Sequence, residues 1–502
     1  MLSGCGAAHS SFAAGPPPHR MLAGAPLARR GPALLRLKMR ASTADTADAP
    51  TASSAAADAA APAPRAPHFD GRARGGDGGA APPPAPPSPE ALARNAALVE
   101  RLRGKLILAP LTKGGNTPFR RLCAAYGMEA SVGEMAFARE LVKGRSGREL
   151  ALLRRAPEER LFGVQIATNE IAEGVAAARI AADAGADFVD LNCGCPIYEA
   201  TRRGLGAALL RKPAKLARLV AGIVAAQIDV PLTVKIRTGV GQDDVNADSL
   251  AVALGAAGAA AVTVHGRTMT QRYKRPADWQ VIEGAARRAG APPLIGNGDV
   301  LTHYEVARRM GSHGCLAVMV GRGALTKPWL FQEVRDGRSY EPDAADRIGI
   351  YRQLVSLMRE HFGDDAQGFR KASYFLPFHL GWMARYRPLP EAVFGELSLR
   401  QPLISTRWEG VAAPELGETL ESLGLLERAL RCEAAPAHEA IAAALWEAAS
   451  DAEAAAAVTR LAADRLGAWE EEIARGSRDR EGDDRDRPGG KRGRDEGDAV
   501  QG

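Results

Sequence analysis

Asp190-Leu191-Asn192-Cys193-Gly194-Cys195-Pro196 is the stretch on which the reading of this chain turns. It overlaps the apolar run Phe188 to Leu191, which has the length of a buried parallel strand, so the two cysteines fall where that strand ends and a loop begins. Parallel α/β enzymes keep their chemistry at such strand ends. Gly194 and Pro196 call for a tight, stiff turn, which is expected to hold the Cys195 thiol in the opening of a pocket. With Asn192 facing that pocket, strand alternation turns Cys193 the other way, into packing. A zinc centre needs four ligands, and no second Cys/His pair of suitable spacing accompanies Cys193 and Cys195, so no metal is expected. Cys123, Cys315 and Cys432 read as small buried hydrophobes. Six cysteines in 502 residues make no disulfide framework, which implies a reducing compartment.

Outward from this strand the chain is periodic. Apolar runs at 106–111, 130–135, 162–167, 188–193, 232–237, 261–266, 294–299 and 317–322 predict strands. Alanine-rich helical stretches separate most of them, for example Ile171 to Ala184, Lys212 to Ala226 and Ala247 to Ala257. Eight strands with helix-length connections predict an α/β fold of the (β/α)8 TIM-barrel kind. An open doubly wound sheet would use fewer strands and an early Gly-x-Gly-x-x-Gly turn. The first loop reads Leu111-Thr112-Lys113-Gly114-Gly115-Asn116 instead.

Both ends differ in composition from this core. Residues 1–90 are dominated by Ala, Pro, Gly, Ser and Arg and are expected to be disordered, as are the charge-rich residues 476–502. The folded part then divides into a barrel, 91–336, and a smaller helical domain, 337–475. Before Asp45 the leader has no acidic residue yet carries Arg20, Arg29, Arg30, Arg36, Lys38 and Arg40. Such a leader suits a plastid or mitochondrial transit peptide; a merely disordered tail would leave the protein in the cytoplasm or nucleus. No apolar run reaches the roughly 18 residues needed to cross a bilayer, so a soluble chain with no membrane partner is expected.

Polar residues recur at the carboxyl ends of the predicted strands. Thr112, Glu134, Gln165, Asn192 with Cys195, Lys235 with Arg237, His265 with Arg267, Asn297 with Asp299, and Arg322 would form one ring on a closed barrel. Lys and Gln inside apolar runs are hard to explain as structure, because unpaired buried polar groups are costly. The ring is therefore expected to converge on a ligand. Gly296-Asn297-Gly298-Asp299 and Val320-Gly321-Arg322-Gly323 lie after strands seven and eight, where barrels commonly bind phosphate. Lys235 could set its ammonium against an electron-accepting ring. These parts suit a flavin mononucleotide (FMN), and the glycine turns would equally suit a phosphorylated sugar.

The chain also resembles a known family. Ala109-Pro110-Leu111-Thr112 with Asn116-Thr117-Pro118-Phe119-Arg120, then Asp190 to Pro196, Lys235-Ile236-Arg237, His265-Gly266-Arg267-Thr268, Gly296 to Asp299 and Gly321-Arg322 resemble the tRNA-dihydrouridine synthases in type and order. The resemblance runs from about Lys105 to Glu333 and more weakly beyond. Pro231 to Gly239, and His265 to Trp279 with Gln271-Arg272-Tyr273, are most similar to the branch that reduces uridine 47 in the variable loop. Eukaryotic members of that branch often carry zinc fingers before the barrel, and none is legible here. The resemblance implies FMN contacts from Pro110, Leu111, Thr112, Gln165, Lys235, His265, Asn297, Gly298, Asp299, Gly321 and Arg322. It also implies Cys195 as proton donor, Asn192 and Arg267 as holders of the target uracil, and NADPH or NADH as reductant.

A base must leave the RNA stack to be reduced, so a gripping surface is needed as well as a pocket. The predicted amphipathic helix Arg347 to Phe362, and the run from Gly368-Phe369-Arg370-Lys371 through Trp382-Met383-Ala384-Arg385-Tyr386-Arg387, mix cations with aromatics. They read either as tRNA contacts or as the core of a helical cap. The net charge of +6 agrees with a nucleic-acid partner, although the two ends contribute to it. The chain is expected to act as a monomer on tRNA. An FMN barrel reductase of free pyrimidines would have no use for the helical region, and a tRNA-binding protein without catalysis would have no use for Cys195.

Overall fold

The computed structural model describes residues 86–312, 314–406 and 412–485. The leader up to residue 85, with its Arg-bearing segment, and the tail after 485 lie outside the described residues.

Eight parallel strands form the barrel: β1 (Leu106–Leu108), β2 (Ala130–Val132), β3 (Leu161–Ala167), β4 (Phe188–Cys193), β5 (Leu232–Arg237), β6 (Val262–His265), β7 (Leu294–Asn297) and β8 (Ala317–Val320). Each pairs with its sequence neighbour, and β8 returns to β1 through Leu106 to Val318 and Leu108 to Val320. The sheet therefore has no free edge. Every strand is buried along its whole length, which explains why apolar runs and not alternation mark them in the sequence. β2 is shorter than its apolar run predicts: after Gly133 the chain leaves the ladder, and Ala136–Phe137 rejoins it against Ile166 and Ala167 at the end of β3.

A helix that precedes the barrel, α1 (Pro89–Leu102), begins with Ser88 accepting from the Ala91 N–H and with Pro at its first turn. It buries Leu98 and Leu102 against Ile107, Leu161, Phe188 and Ile295. Phe188 and Leu161 begin their strands, so α1 closes the amino end of the barrel and leaves the carboxyl end for ligands.

After β8 the chain is helical. A helix over Ala344–Phe362 packs its buried Ile348, Leu354 and Met358 into the same apolar cluster as Phe119 and Leu122 of the first barrel helix, Thr117–Ala125. A second, Leu376–Met383, lies over the β1 loop: the His379 ring stacks on Phe119 at 4.6 Å, and its Nε2 is 3.0 Å from the Asn116 amide nitrogen. One continuous core thus runs from the barrel into the helical region. The last helix runs Asp451–Arg485, past the point where the charged tail was expected to begin. Val458, Ala462, Leu466 and Trp469 anchor this helix in the main core, and it runs on from that anchored part through the charge-rich stretch. Among the described residues no helix is long and apolar enough to cross a membrane.

Candidate active site

The carboxyl ends of β5 to β8 open into a cleft that is continuous with solvent. Lys235, His265, Arg267, Asn297, Gly298, Asp299, Gly321 and Arg322 line it, with Leu111 from the β1 loop. Strand register explains the convergence: Arg237 pairs with His265, and His265 with Asn297, so equivalent strand ends meet at one level.

Asp299 organises the floor. Its carboxylate accepts from Arg267 Nη2 at 2.6 Å, from the Ala277 N–H at 2.7 Å and from Arg322 Nη2 at 2.5 Å. These bonds hold Asp299 at φ +43°, a left-handed conformation unusual for a residue with a side chain. Gly298 before it has φ +139°, and a Cβ there would come within 2.5 Å of Ala277 Cβ, so the turn requires glycine. Tyr273 covers the cleft, its ring 4.2 Å from the Arg322 guanidinium and 4.9 Å from that of Arg267.

Charge in this cleft is unbalanced. Among the described residues that line it, Lys235, Arg267 and Arg322 face one carboxylate, Asp299, which leaves an excess of two positive charges. Burial, with Arg237, Lys235, Arg267 and Arg322 nearby, holds His265 well below its ordinary value, so the ring is neutral. Burial and Arg237 push the Lys235 ammonium down to about 8, against the opposing pull of Asp190. Among the described residues no group accepts a hydrogen bond from Lys235. A buried positive surplus without a partner is costly, and an anionic ligand removes that cost.

The remaining candidates lie beside the cleft and not in it. Cys195 sits on the turn after β4 and packs with Ala167, Ala200 and Leu205, 2% exposed. The expectation that it would stand in a pocket opening is therefore corrected. The reason is the following segment: the Ala207 N–H donates to the Cys195 carbonyl, and Ala200 of the Tyr198–Thr201 turn and Leu205 pack against Cys195. Burial pushes the thiol up from its ordinary value, with Arg237 and Lys235 opposing in part, so it remains protonated at neutral pH. Cys193 is fully buried in the main core, as alternation predicts.

Asn192 links this turn to β3. Its Oδ1 accepts the N–H groups of Gly194 at 3.2 Å and Cys195 at 2.9 Å, and its Nδ2 donates to Gln165 Oε1 at 2.8 Å. Pro110 and Thr112 follow β1 but do not line the cleft. Sequence reasoning missed Arg237 as a builder of the turn: its Nε donates to the Gly194 carbonyl at 2.7 Å and its Nη1 to that of Thr268 at 3.1 Å. It also missed Tyr273 as the cover, and Ile404, which reaches the cleft from the helical region.

The aromatic and basic run beyond the barrel divides in two. Tyr386 and Arg387 are buried, the latter bonded to the carbonyls of Ala384 and Tyr386, so they belong to the core and not to a surface. Arg370, Lys371, Tyr374 and Arg385 are exposed. Lys113, from the β1 loop, holds its ammonium 4.0 Å over the Tyr374 ring, which joins this rim to the barrel mouth.

A carboxyl-end cleft rich in buried cations, beside a protonated thiol on a strand-end turn, is the equipment of a barrel enzyme acting on an anionic ligand. A family profile described as dihydrouridine synthase (Dus) matches residues 107–385, more than half of the chain. The chain belongs to the dihydrouridine synthase family. It is similar to the tRNA-dihydrouridine(47) synthase [NAD(P)(+)]-like protein of Homo sapiens, 43% identical over 296 residues, covering 57% of this chain and 44% of that one. The tRNA-dihydrouridine(47) synthase [NAD(P)(+)] of Coprinopsis cinerea is 40% identical over 300 residues, covering 57% and 44%. The like-named protein of Oryza sativa subsp. japonica is 39% identical over 294 residues, covering 57% and 42%. The chain spans less than half the length of these curated relatives.

Proposed function

We propose that this protein reduces a uridine of tRNA, uridine 47 of the variable loop, to 5,6-dihydrouridine, with FMN in the cationic cleft and NADPH or NADH as reductant. Membership of the dihydrouridine synthase family and the names of the relatives support the reaction and the position. The observation that carries the reading is the uncompensated buried charge of the cleft beside the protonated Cys195 thiol.

The residues present fit a flavin nucleotide. Arg322 and the turn at Gly321 would take the phosphate by charge-assisted hydrogen bonds, Asn297, Gly298 and Leu111 would flank the ring system, and Lys235, lacking an acceptor, would meet its electron-rich edge. Once reduced, a bound flavin supplies hydride to C6 of the uracil.

The rest of the chemistry belongs to the chain. Addition at C6 leaves carbanion character at C5, and a group beside C5 must supply a proton. Cys195 would serve once the Ala200 and Leu205 segment packed on it gives the base access, and burial keeps its proton in place until then. The thiolate left behind is reprotonated from solvent, so no oxidant is consumed at sulfur. Asn192 and Arg267 would offer the N–H groups they do not use internally to the uracil carbonyls. Lys113, Tyr374, Arg370, Lys371 and Arg385 would hold the RNA while the base is flipped, combining phosphate contact with a stacking face.

Mapping dihydrouridine in tRNA from cells with and without the gene tests the proposal. Loss of the modification at position 47 alone is expected. An unchanged map, with turnover of a free pyrimidine by the purified protein, would replace it.

A further inference from the structure

We infer that Asp190 is a positioning residue for the Cys195 turn: its carboxylate fixes which way round the amides of Gln165 and Asn192 sit, and so delivers an acceptor oxygen to the Cys195 N–H. Asp190 is fully buried and does not line the cleft; burial raises its carboxyl from the ordinary value, and the hydrogen bonds from Gln165 and Thr233 and the charge of Lys235 oppose that rise. Register places it opposite Gln165 on β3 and Thr233 on β5. Gln165 Nε2 donates to Asp190 Oδ2 at 2.7 Å, and Thr233 Oγ1 donates to Oδ1 at 2.7 Å.

A carboxylate only accepts, whereas an amide can be reversed end for end. Because Asp190 accepts, Gln165 must turn its nitrogen to it and its oxygen to Asn192. Asn192 must then give its nitrogen to Gln165 and its oxygen to the Gly194 and Cys195 N–H groups. Were the chain reversed, the Asn192 NH2 would face two backbone donors and the turn would lose its anchor. One charge, separated from the Cys195 N–H by two side chains, thus imposes the same polarity that the backbone donors impose from the other end. Its consequence for proton delivery rests on the reading of Cys195 as the acid; the relay itself does not.

Amide hydrogen exchange of the full chain, read by mass spectrometry over a peptide spanning 192–197, tests this without reference to activity. Asp190→Asn keeps the shape but no longer compels Gln165 to donate, so the backbone N–H groups of Gly194 and Cys195 alone hold the native sense of the relay, and protection of this peptide should fall roughly tenfold or more. Adding Gln165→Glu moves the acceptor-only group one step along: it accepts from both Asn192 and the new amide at 190, and protection should return. Wild-type protection in the single variant would overturn the inference. So would a loss that the double variant does not repair while the 232–237 peptide stays protected. If the single variant does not fold, a folded double variant with native protection supports the inference, and its failure to fold overturns it. None of these outcomes depends on whether tRNA is the substrate.

Discussion

Arg237 on β5 donates through Nε to the Gly194 carbonyl at 2.7 Å, so the turn that bears Cys195 is tied down from the neighbouring strand as well as from within. The guanidinium is 2% exposed and also holds the Thr268 carbonyl, joining the loops after β4 and β6. Replacing it with Met keeps the volume but leaves two buried carbonyls without a donor. A stability loss of about 2–4 kcal/mol is expected for Arg237→Met, read by urea denaturation of the full chain. A loss within error of zero would mean that the tie is dispensable.

Flavin affinity should fall as pH rises past 8. Lys235 has its affinity for protons depressed to about 8 by burial and Arg237, so it is a cation below that pH and neutral above it. An anionic ligand binds the cation more tightly and therefore weakens between pH 8 and the raised value the lysine acquires in the complex. Titration of the flavin-free protein by fluorescence should show this decline, and Lys235→Met should bind weakly with a flat profile. An affinity that rises above pH 8 would contradict the charge assigned to the cleft.

Arg322→Ala should weaken flavin binding by about tenfold to a hundredfold, the worth of a charge-assisted hydrogen bond to phosphate. Asp299 would then keep only Arg267 and the Ala277 N–H as partners. Riboflavin, which lacks the phosphate, should bind wild type and variant alike. Equal losses for both ligands would move the phosphate away from Arg322.

Binding of tRNA by the full chain should weaken steeply with salt, because each phosphate contact releases condensed counterions. Replacing exposed Arg370 and Lys371 by Ala should flatten that dependence and raise KM for tRNA while flavin content is unchanged. An unaltered salt dependence would exclude this rim from the RNA path.

Much of this was legible in the sequence because the barrel strands are buried on both faces. Phe188–Cys193 and Leu232–Arg237 coincide with their apolar runs, and the ring of polar strand ends led to Lys235, His265 and Asn297 without any structure. What escaped are relations between distant residues. Asp190 reads as one letter of a motif until its register with Gln165 and Thr233 is known. The Ser88-Pro89-Glu90 helix start was present in the chain but lay within low-complexity sequence. Cations and aromatics look alike in core and rim, and only packing separates Arg387 from Arg370. The burial of Cys195 could not be foreseen either, since it is imposed by Ala200 and Leu205 packing back against the turn.

The most direct measurement is single-turnover dihydrouridine formation in tRNA by Cys195→Ala, with flavin content and flavin reduction by NADPH followed in the same sample. Neither flavin step uses the thiol, so both should match wild type, whereas dihydrouridine formation should drop by roughly 10² to 10⁴, the usual worth of a positioned general acid. Cys193→Ala, altering a side chain turned into the core, should lose far less. Near-normal dihydrouridine formation by Cys195→Ala would contradict the account, and equal losses in the two variants would point to a paired role for the cysteines in place of an acid.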